Sequence, residues 1–453
     1  MDIRIIPVTS APDLNTVIIY RPLAGRAFVG NRAMARLVQA LTDDMTDPKP
    51  HAGPDILEFL FSSGFLDPDP PPPMWTRSDF NPTTAVLLLT NQCQLRCTYC
   101  YAAAGEAPRQ ELTPELGYAA IDYVCERAMA AGLPEFEVSF HGGGEPTYAW
   151  HVLQQCTDYA RQKPLKAKVT LTSNGVWSEA QCAWIAANLD GLSLSVDGAP
   201  PTQDRQRPLR TGRGSSPYVL RTIAALDRHA FPYGIRLTAT APWTLADDVR
   251  FLCAETGCQS MQVEPAFNIK RGGHTEPDTA EIEGFVAAFL DAFEIAQQAG
   301  RRLLYSGARV GLATTIFCSA PYNALIVNAN GDLVACYEVA SDAHPLAKMS
   351  VIGRVVEGQV VIDHAARDHL HRLIDERRAT CTDCFCYWSC AGDCYPRTFE
   401  PGEAGHLQHK GRCTINRQIT EKLLLRRIAD GGGVWRAPDV SRQDGPCRPP
   451  AQD

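Results

Sequence analysis

The feature that most constrains the fold is a regular alternation of short apolar segments with longer amphipathic ones between residues 85 and 299. Stretches such as Pro114–Met129, Ser178–Ala187 and Thr279–Ala299 carry apolar residues at helical spacing. Repeated strand–helix units predict a parallel α/β sheet, either open or part of a barrel. We expect its strands at Ala85–Thr90, Phe136–His141, Lys168–Thr172, Leu192–Val196, Ile235–Thr240 and Met261–Glu264.

The chain of 453 residues is too long for one ordinary core, so several domains are expected. Near the N-terminus, Val17–Tyr20 and Ala27–Gly30 predict a hairpin. Asn31 is expected to cap one helix, and a second helix is expected over Asp55–Phe61. The predicted division is a small α+β domain (1–66), a proline-rich linker (67–80), the α/β core (81–304), a cysteine-rich extension (305–429) and a flexible tail (430–453).

Charge and apolar patterning argue against two classes of partner. A formal net charge of −8 is unfavourable for a nucleic-acid surface, which needs concentrated Lys and Arg. No apolar run reaches the roughly 18 residues of a membrane-spanning helix. The first residues also lack the basic start and apolar core of an export signal. We expect a cytoplasmic protein that binds neither nucleic acid nor membrane.

Seventeen cysteines in a chain without an export signal predict metal ligands rather than disulfides. Cys93, Cys97 and Cys100 directly follow the first predicted strand, so three thiolates can converge on one metal centre. Structural zinc would need a fourth Cys or His, and none is close in the sequence. Three ligands instead leave one iron of a four-iron cluster open to another molecule. Six cysteines are scattered and are interpreted as small buried apolar residues: Cys125, Cys156, Cys182, Cys253, Cys258 and Cys447.

Polar and glycine-rich motifs follow the next three predicted strands. They are His141–Pro146 (HGGGEP), Thr172–Gly175 (TSNG) and Ser195–Gly198 (SVDG). Ligands of parallel α/β sheets gather at the carboxyl ends of the strands, where these motifs lie. Glycines there let the backbone approach a ligand closely.

The C-x3-C-x2-C spacing, with Tyr99 before the last cysteine and the three motifs in order behind it, resembles the radical S-adenosylmethionine (SAM) superfamily. The resemblance implies a partial (β/α)6 TIM-like barrel. It also implies a [4Fe–4S] cluster on Cys93, Cys97 and Cys100 that cleaves SAM to a 5′-deoxyadenosyl radical. Either Arg207 or Arg213 becomes a candidate partner of the SAM carboxylate. The other implied cofactor-binding residues are Gly143, Gly144, Glu145, Pro146, Ser173, Asn174, Ser195 and Asp197.

The later cysteines follow the spacing C-x12-G-x4-C, then C-x2-C-x5-C-x3-C and a final cysteine, which is similar to the SPASM extension of radical SAM enzymes. That resemblance implies two auxiliary [4Fe–4S] clusters, although C-x2-C pairs are also compatible with zinc. The inner cluster is one cysteine short, so its last iron would be open, held by a non-cysteine ligand, or held by Cys386. The implied ligands are Cys381, Cys384, Cys390 and Cys413 for the outer cluster, and Cys318, Cys336 and Cys394 for the inner one.

SPASM enzymes mostly modify peptides or proteins, with electrons from an external donor of the flavodoxin or ferredoxin type. The N-terminal domain loosely resembles a leader-peptide recognition element, which binds a leader by adding a strand to a sheet edge. A packing appendage is the alternative for this domain. We therefore expect an oxidoreductase that modifies a ribosomally made peptide.

Two other functions stay open. One is a sulfatase maturase that forms formylglycine, which is less favoured because about 90 residues precede the first cysteine motif. The other is a non-catalytic iron–sulfur carrier. Glu264, at the end of the sixth predicted strand, is the candidate catalytic residue, as a substrate contact or a base, and an ion-paired or helix-capping carboxylate is its alternative interpretation.

Overall fold

The computed structural model describes residues 1–43, 51–74, 80–267, 271, 276–341, 344–398 and 411–437, together with the backbone of 441–443. Within these residues, no helix is both long enough and apolar enough to cross a membrane.

The secondary structure of the described residues is numbered in chain order. The strands are β1 Arg4–Pro7, β2 Thr16–Arg21, β3 Arg26–Asn31, β4 Thr84–Leu88, β5 Glu135–His141, β6 Lys166–Ser173, β7 Gly191–Ser195, β8 Tyr233–Ala239, β9 Ser260–Pro265, β10 Arg302–Leu304, β11 Leu312–Thr314, β12 Ala324–Val327, β13 Asp332–Val334, β14 Val351–Val356, β15 Gln359–Ile362, β16 Val434–Arg436 and β17 Ser441–Gln443. The helices are α1 Arg32–Thr42, α2 Pro54–Ser62, α3 Pro114–Ala130, α4 Trp150–Arg161, α5 Glu179–Asn188, α6 Pro200–Gln206, α7 Ser216–Arg228, α8 Leu245–Glu255, α9 Thr279–Gln298, α10 Ala320–Asn323, α11 Ala347–Ser350, α12 His364–Ala379, α13 Tyr387–Cys390, α14 Tyr395–Thr398 and α15 Gly411–Asp430.

Eleven strands form one sheet in the order β10-β9-β8-β7-β6-β5-β4-β12-β13-β14-β15. The pairings from β10 to β12 are all parallel, and the last three strands pair antiparallel. The six strands expected from the sequence are β4 to β9, within two residues at each end, and the α/β class is confirmed. Across its described strands the sheet is open, ending at β10 and β15.

The two faces of strands β5 to β9 differ in polarity. In β5, Phe136, Val138 and Phe140 are buried, while the residues between them are partly exposed. This alternation arises because successive side chains of a strand point to opposite faces. Connections between parallel neighbours are nearly always right-handed, which places helices such as α3 and α4, in contact with β5, on the apolar face. The opposite, polar face of these strands lines a cavity.

The N-terminal residues form a separate antiparallel sheet in the order β1-β2-β3-β16. The expected hairpin is β2–β3, and Asn31 caps α1 by accepting a hydrogen bond from the Met34 amide at 2.8 Å. One face of this sheet packs with α1 and α2 in a small core of its own. The other face contributes Ile18 and Tyr20 to the main core, so the sheet is packed on both sides.

Strand β16 lies in the stretch expected to be a flexible tail. It pairs antiparallel with β3, and Trp435, opposite Ala27, is buried. The Trp435 ring lies 6.2 Å from the Tyr20 ring. The expectation of flexibility therefore does not hold for Val434–Arg436, because the Trp435 indole is buried against the N-terminal sheet. The glycines that precede it in the sequence do not indicate this contact.

The cysteine-rich extension is continuous with the core sheet, since β12 pairs with β4. Its last helix, α15, packs against α9 and β16. Of the scattered cysteines, Cys253 is partly exposed and Cys447 lies outside the described residues, whereas the other four are buried as expected: Cys125, Cys156, Cys182 and Cys258.

Candidate functional site: a cavity at the carboxyl ends of the strands

The first cysteine loop is held by backbone contacts with the segment that follows α6. The Arg96 amide donates to the Pro208 carbonyl at 2.7 Å, and the Thr98 amide donates to the Gln206 carbonyl at 2.9 Å. Arg271 Nη1 donates to the Cys97 carbonyl at 2.6 Å from the other side. These bonds fix the loop without using the cysteine thiols.

All three thiols of this loop line one cavity of about 390 Å³. Burial raises the pKa of Cys93 to about 12, and the charges of Glu145, Cys97 and Cys100 act in the same direction. The three thiols thus lie within electrostatic range of one another at one cavity. This donor set suits an iron–sulfur cluster, whose thiolate ligands carry no proton once iron is bound.

The glycine-rich turn after β5 lies directly against the cysteine loop. The Gly144 amide donates to the Thr90 carbonyl at 2.6 Å, and the Glu145 amide donates to the Gln92 carbonyl at 2.8 Å. A Cβ on Gly144 would overlap with the Gln92 carbonyl oxygen. Glycine is therefore required at position 144 for the two backbones to meet.

Glu145 connects this turn to the end of β6. Its buried carboxylate accepts hydrogen bonds from Ser173 Oγ at 2.6 Å and from the Asn174 amide at 2.8 Å. Asn174 in turn directs its Nδ2 at Cys93 Sγ, 3.6 Å away. Burial raises the pKa of Glu145, while its hydrogen bonds lower it. Two of the predicted motifs thus meet at the first cysteine.

A second buried network lies at the end of β7. Asp197 accepts a hydrogen bond from Tyr99 Oη at 2.6 Å and lies 3.7 Å from Arg207 Nη1. Arg207 Nη1 also donates to Tyr99 Oη at 2.5 Å. The Nε of Arg207 is buried and makes no hydrogen bond within the described part of the chain. Arg207 therefore keeps one N–H available for an anion in the cavity, whereas Arg213 is exposed.

Glu264 also lines the cavity and is ion-paired there. Its Oε2 lies 3.0 Å from Arg412 Nη1, and its Oε1 accepts from the Ser306 amide at 3.2 Å. The same guanidinium contacts Asp393 through Nε at 3.0 Å. Arg412 thus joins the core sheet to the cysteine-rich extension, beside Cys413.

The cysteines expected to form the outer set share polar neighbours. Arg377 donates to Cys381 Sγ at 3.0 Å and to Cys413 Sγ at 3.3 Å, so these two sulfur atoms lie close together. Burial raises the pKa of Cys390, and the charge of Cys413 is among the further causes. Cys384 interacts with Cys386, and Cys390 lies within electrostatic range of Cys386.

The cysteines expected to form the inner set lie within electrostatic range of one another. The pKa of Cys336 is raised by burial, then by the charge of Glu338, and also by Cys318. The pKa of Cys394 is raised by burial, then by Glu338 and Cys336. Cys386 lies with the outer cysteines instead. Among the described residues, no three His, Cys, Asp or Glu side chains stand close enough to ligate a single metal ion.

The cavity brings together the first three thiols, Glu264 and most of the residues expected to bind SAM, whereas none of the seven later cysteines lines it. Pro146 instead begins a short 3₁₀ turn, and Asp197 lies behind Tyr99 and Arg207. The cavity also contains residues that sequence reasoning did not single out: Tyr101, Arg236, Glu338, Arg397 and Arg412. Closeness in sequence to a predicted ligand cysteine is the signal that could have found Tyr101, Glu338, Arg397 and Arg412.

Comparison with protein families matches residues 87–246 to the Radical SAM superfamily. Among curated proteins, the sporulation killing factor maturation protein SkfB of Bacillus subtilis is 27% identical over 271 residues, which are 56% of this chain and 60% of that protein. The Fe-coproporphyrin III synthase of Methanosarcina barkeri is 28% identical over 33% of this chain and 35% of that protein. The chain thus spans less than two thirds of the length of these relatives.

Solved structures share the fold. The structure of anSMEcpe with bound AdoMet covers 76% of this chain and 97% of its own, with a TM-score of 0.61 and 17% identity. Streptococcus suis SuiB bound to precursor peptide SuiA covers 90% of this chain and 99% of its own, with a TM-score of 0.52 and 14% identity.

Proposed function

Because the chain belongs to the radical SAM superfamily, we propose that it is a SPASM-type enzyme that cleaves SAM reductively and oxidatively modifies a ribosomally made peptide. The observation that carries this proposal is one cavity that contains all three thiols of the first cysteine loop. It joins the first three thiols to the motif residues on one side and to charged residues of the cysteine-rich extension on the other. Its volume of about 390 Å³ falls in the usual range of roughly 300–1,000 Å³ for ligand pockets.

The residues present fit the cofactors of this family. Cys93, Cys97 and Cys100, which line the cavity, would hold the first cluster. The orphaned Nε of Arg207 would donate a hydrogen bond to the SAM carboxylate, and Tyr99 and Asp197 would hold that guanidinium in place. When bound, the cluster and SAM supply a 5′-deoxyadenosyl radical, which abstracts hydrogen from substrate.

The protein side chains would orient the substrate and keep water out. Glu264 is held by Arg412 and the Ser306 amide, so its carboxylate is fixed at the wall of the cavity. A carboxylate fixed in this way can accept a hydrogen bond or a proton from substrate. Glu264→Gln is expected to lower product formation while SAM cleavage continues.

A peptide substrate is favoured by the proteins that this chain resembles. SkfB is named as a maturation protein, SuiB was solved with precursor peptide SuiA, and anSMEcpe was solved with bound peptides. The charged wall formed by Glu264, Arg412, Glu338 and Arg397 is suited to polar backbone and side-chain groups. A flavodoxin- or ferredoxin-type protein is the proposed electron donor.

The N-terminal sheet is the proposed site for a leader peptide. Because β16 covers the edge of β3, the sheet ends at β1 on its other side, and a leader strand would pair there. Hydrogen exchange with a precursor peptide tests this: protection of the β1 amides supports leader binding. Protection confined to the cavity would make the domain a packing appendage.

The decisive test uses anaerobically reconstituted protein, SAM, a reductant and a precursor peptide encoded next to the gene. We expect the enzyme to form 5′-deoxyadenosine in proportion to the amount of peptide that loses mass. Absence of 5′-deoxyadenosine would instead support an iron–sulfur carrier. Formylglycine formed in a sulfatase peptide, with no change in a precursor peptide, would support the sulfatase-maturase alternative.

A further inference from the structure

We propose that Glu338 is the fourth protein ligand of the inner auxiliary cluster, beside Cys318, Cys336 and Cys394. This rests on the proposed assignment of those cysteines to a cluster. Glu338 follows Cys336 by two residues, and its amide donates to Cys336 Sγ at 3.4 Å. The turn that presents the Cys336 thiol therefore also presents the Glu338 side chain.

The carboxylate of Glu338 is anchored to a second cysteine segment. Its Oε1 accepts a hydrogen bond from Arg397 Nη2 at 2.6 Å. Arg397 lies on α14, and its amide donates to the Cys394 carbonyl at 3.0 Å. The Glu338 carboxylate is thereby held between the backbone segments of Cys336 and Cys394.

The Glu338 side chain is only 15% exposed, and its contacts tie together the segments of two cysteines that are 58 positions apart in the chain, Cys336 and Cys394.

The alternative donors are placed elsewhere. Cys386 interacts with Cys384 and Cys390 of the outer set and donates weakly to the Asn416 carbonyl. The stretch that precedes Cys318, residues 308–317, contains no cysteine. Glu338 is thus the donor that the geometry offers to the inner set.

Both Glu338 and Arg397 line the cavity that contains the first three thiols. An oxygen-ligated iron would therefore face the substrate space, and Arg397 would orient the ligating carboxylate as outer-shell partners do. Since a carboxylate binds iron–sulfur iron less tightly than thiolate does, this iron is the one that a chelator would remove first.

The first experiment detects the bond itself. The variant Cys93→Ala/Cys97→Ala/Cys100→Ala, which removes the first cluster, is labelled with ¹³C-glutamate, reconstituted and reduced. Pulsed electron paramagnetic resonance is expected to show a ¹³C hyperfine coupling that disappears with Glu338→Gln. The matched control is Glu276→Gln, a carboxylate that lines the same cavity and contacts the Gly411 amide, and it should keep the coupling.

The second experiment measures iron retention. Glu338→Gln and Arg397→Gln should lose one iron to a chelator about 10- to 100-fold faster, with a three-iron signal appearing, and Glu338→Cys should restore retention. Circular dichroism verifies that each variant is folded. Absence of the ¹³C coupling in the parent, or unchanged retention in Glu338→Gln, would overturn the proposal. The triple variant should hold about eight iron atoms per chain, in two auxiliary clusters. If it holds only about four, which is one cluster, the assignment of the inner cysteines is wrong and this inference fails with it.

Discussion

Replacing Gly144 with alanine perturbs the contact between the glycine-rich turn and the cysteine loop. The new Cβ would overlap with the Gln92 carbonyl oxygen and lie 2.7 Å from the Gln92 amide nitrogen. Because both atoms belong to the backbone, no side-chain rotation can relieve the overlap. The loop that carries Cys93 must move away, and the hydrogen bonds Gly144 N–Thr90 O and Glu145 N–Gln92 O must lengthen or break.

The cost can be estimated from these contacts. Each lost hydrogen bond contributes about 1 kcal/mol, and overpacking adds about 1–3 kcal/mol, so the native site loses about 3–5 kcal/mol in all. The assays are SAM binding by calorimetry and the change of the reduced-cluster signal when SAM is added. We expect both to be lost in Gly144→Ala, while the auxiliary clusters remain.

Gly191→Ala is the matched control, because the nearest atom to its new Cβ is Thr170 Cγ2 at 3.9 Å, an ordinary contact. It lies in β7 of the same sheet and should bind SAM as the wild type does. Wild-type SAM binding by Gly144→Ala would refute the close approach of the two backbones as a requirement of the site.

Four further predictions follow from named contacts. Tyr99→Phe removes the hydroxyl between Asp197 and Arg207. Because hydrogen bonds to charged groups contribute about 1.5–3 kcal/mol, SAM binding measured by calorimetry should weaken about tenfold. The control is Tyr148→Phe at an exposed tyrosine, which should bind SAM normally in the same titration. Arg412→Ala leaves the buried Asp393 without its cation and should lower the free energy of unfolding by about 3–5 kcal/mol, as measured by denaturant titration. The control is Arg250→Ala, which breaks an exposed ion pair and should cost less than about 1 kcal/mol. Burial lowers the pKa of His141 to about 3, so the unfolded chain takes up a proton below about pH 6.5 and the folded one does not. The free energy of unfolding should therefore fall by up to about 1.4 kcal/mol per pH unit as the pH drops below 6.5, and His141→Asn should remove that slope; equal slopes in both proteins would show that His141 titrates normally. Glu264→Gln should reduce peptide product at least tenfold with SAM cleavage retained, and an unchanged product yield, measured by mass spectrometry, would exclude a role for that carboxylate.

The core of the fold is predictable from the sequence because strand and helix periods alternate there without interruption. Strands β4 to β9 lie within two residues of the predicted ones. The motifs after β5, β6 and β7 meet because neighbouring parallel strands end at one edge, with Ser173 paired to Leu194 and Ser195 to Arg236. Local patterns determine this part of the site.

The rest depends on contacts between distant segments. Arg412 reaches Glu264 across 148 positions of the chain, and Trp388 Nε1 donates to Asp2 across 386. Val434–Arg436 is a strand only because β3 offers it an edge. No periodicity within these segments reveals such partners, since the segments acquire their role only after the chain has folded.

The central claim is that Cys93, Cys97 and Cys100 hold the cluster that cleaves SAM, while the later cysteines hold auxiliary clusters. The most direct test measures iron content and 5′-deoxyadenosine formation in two proteins. These are the wild type and the variant Cys93→Ala/Cys97→Ala/Cys100→Ala. We predict about 12 iron atoms per chain in the wild type and about 8 in the variant, four per cluster, with SAM cleavage abolished in the variant. SAM cleavage by the triple variant would contradict the account.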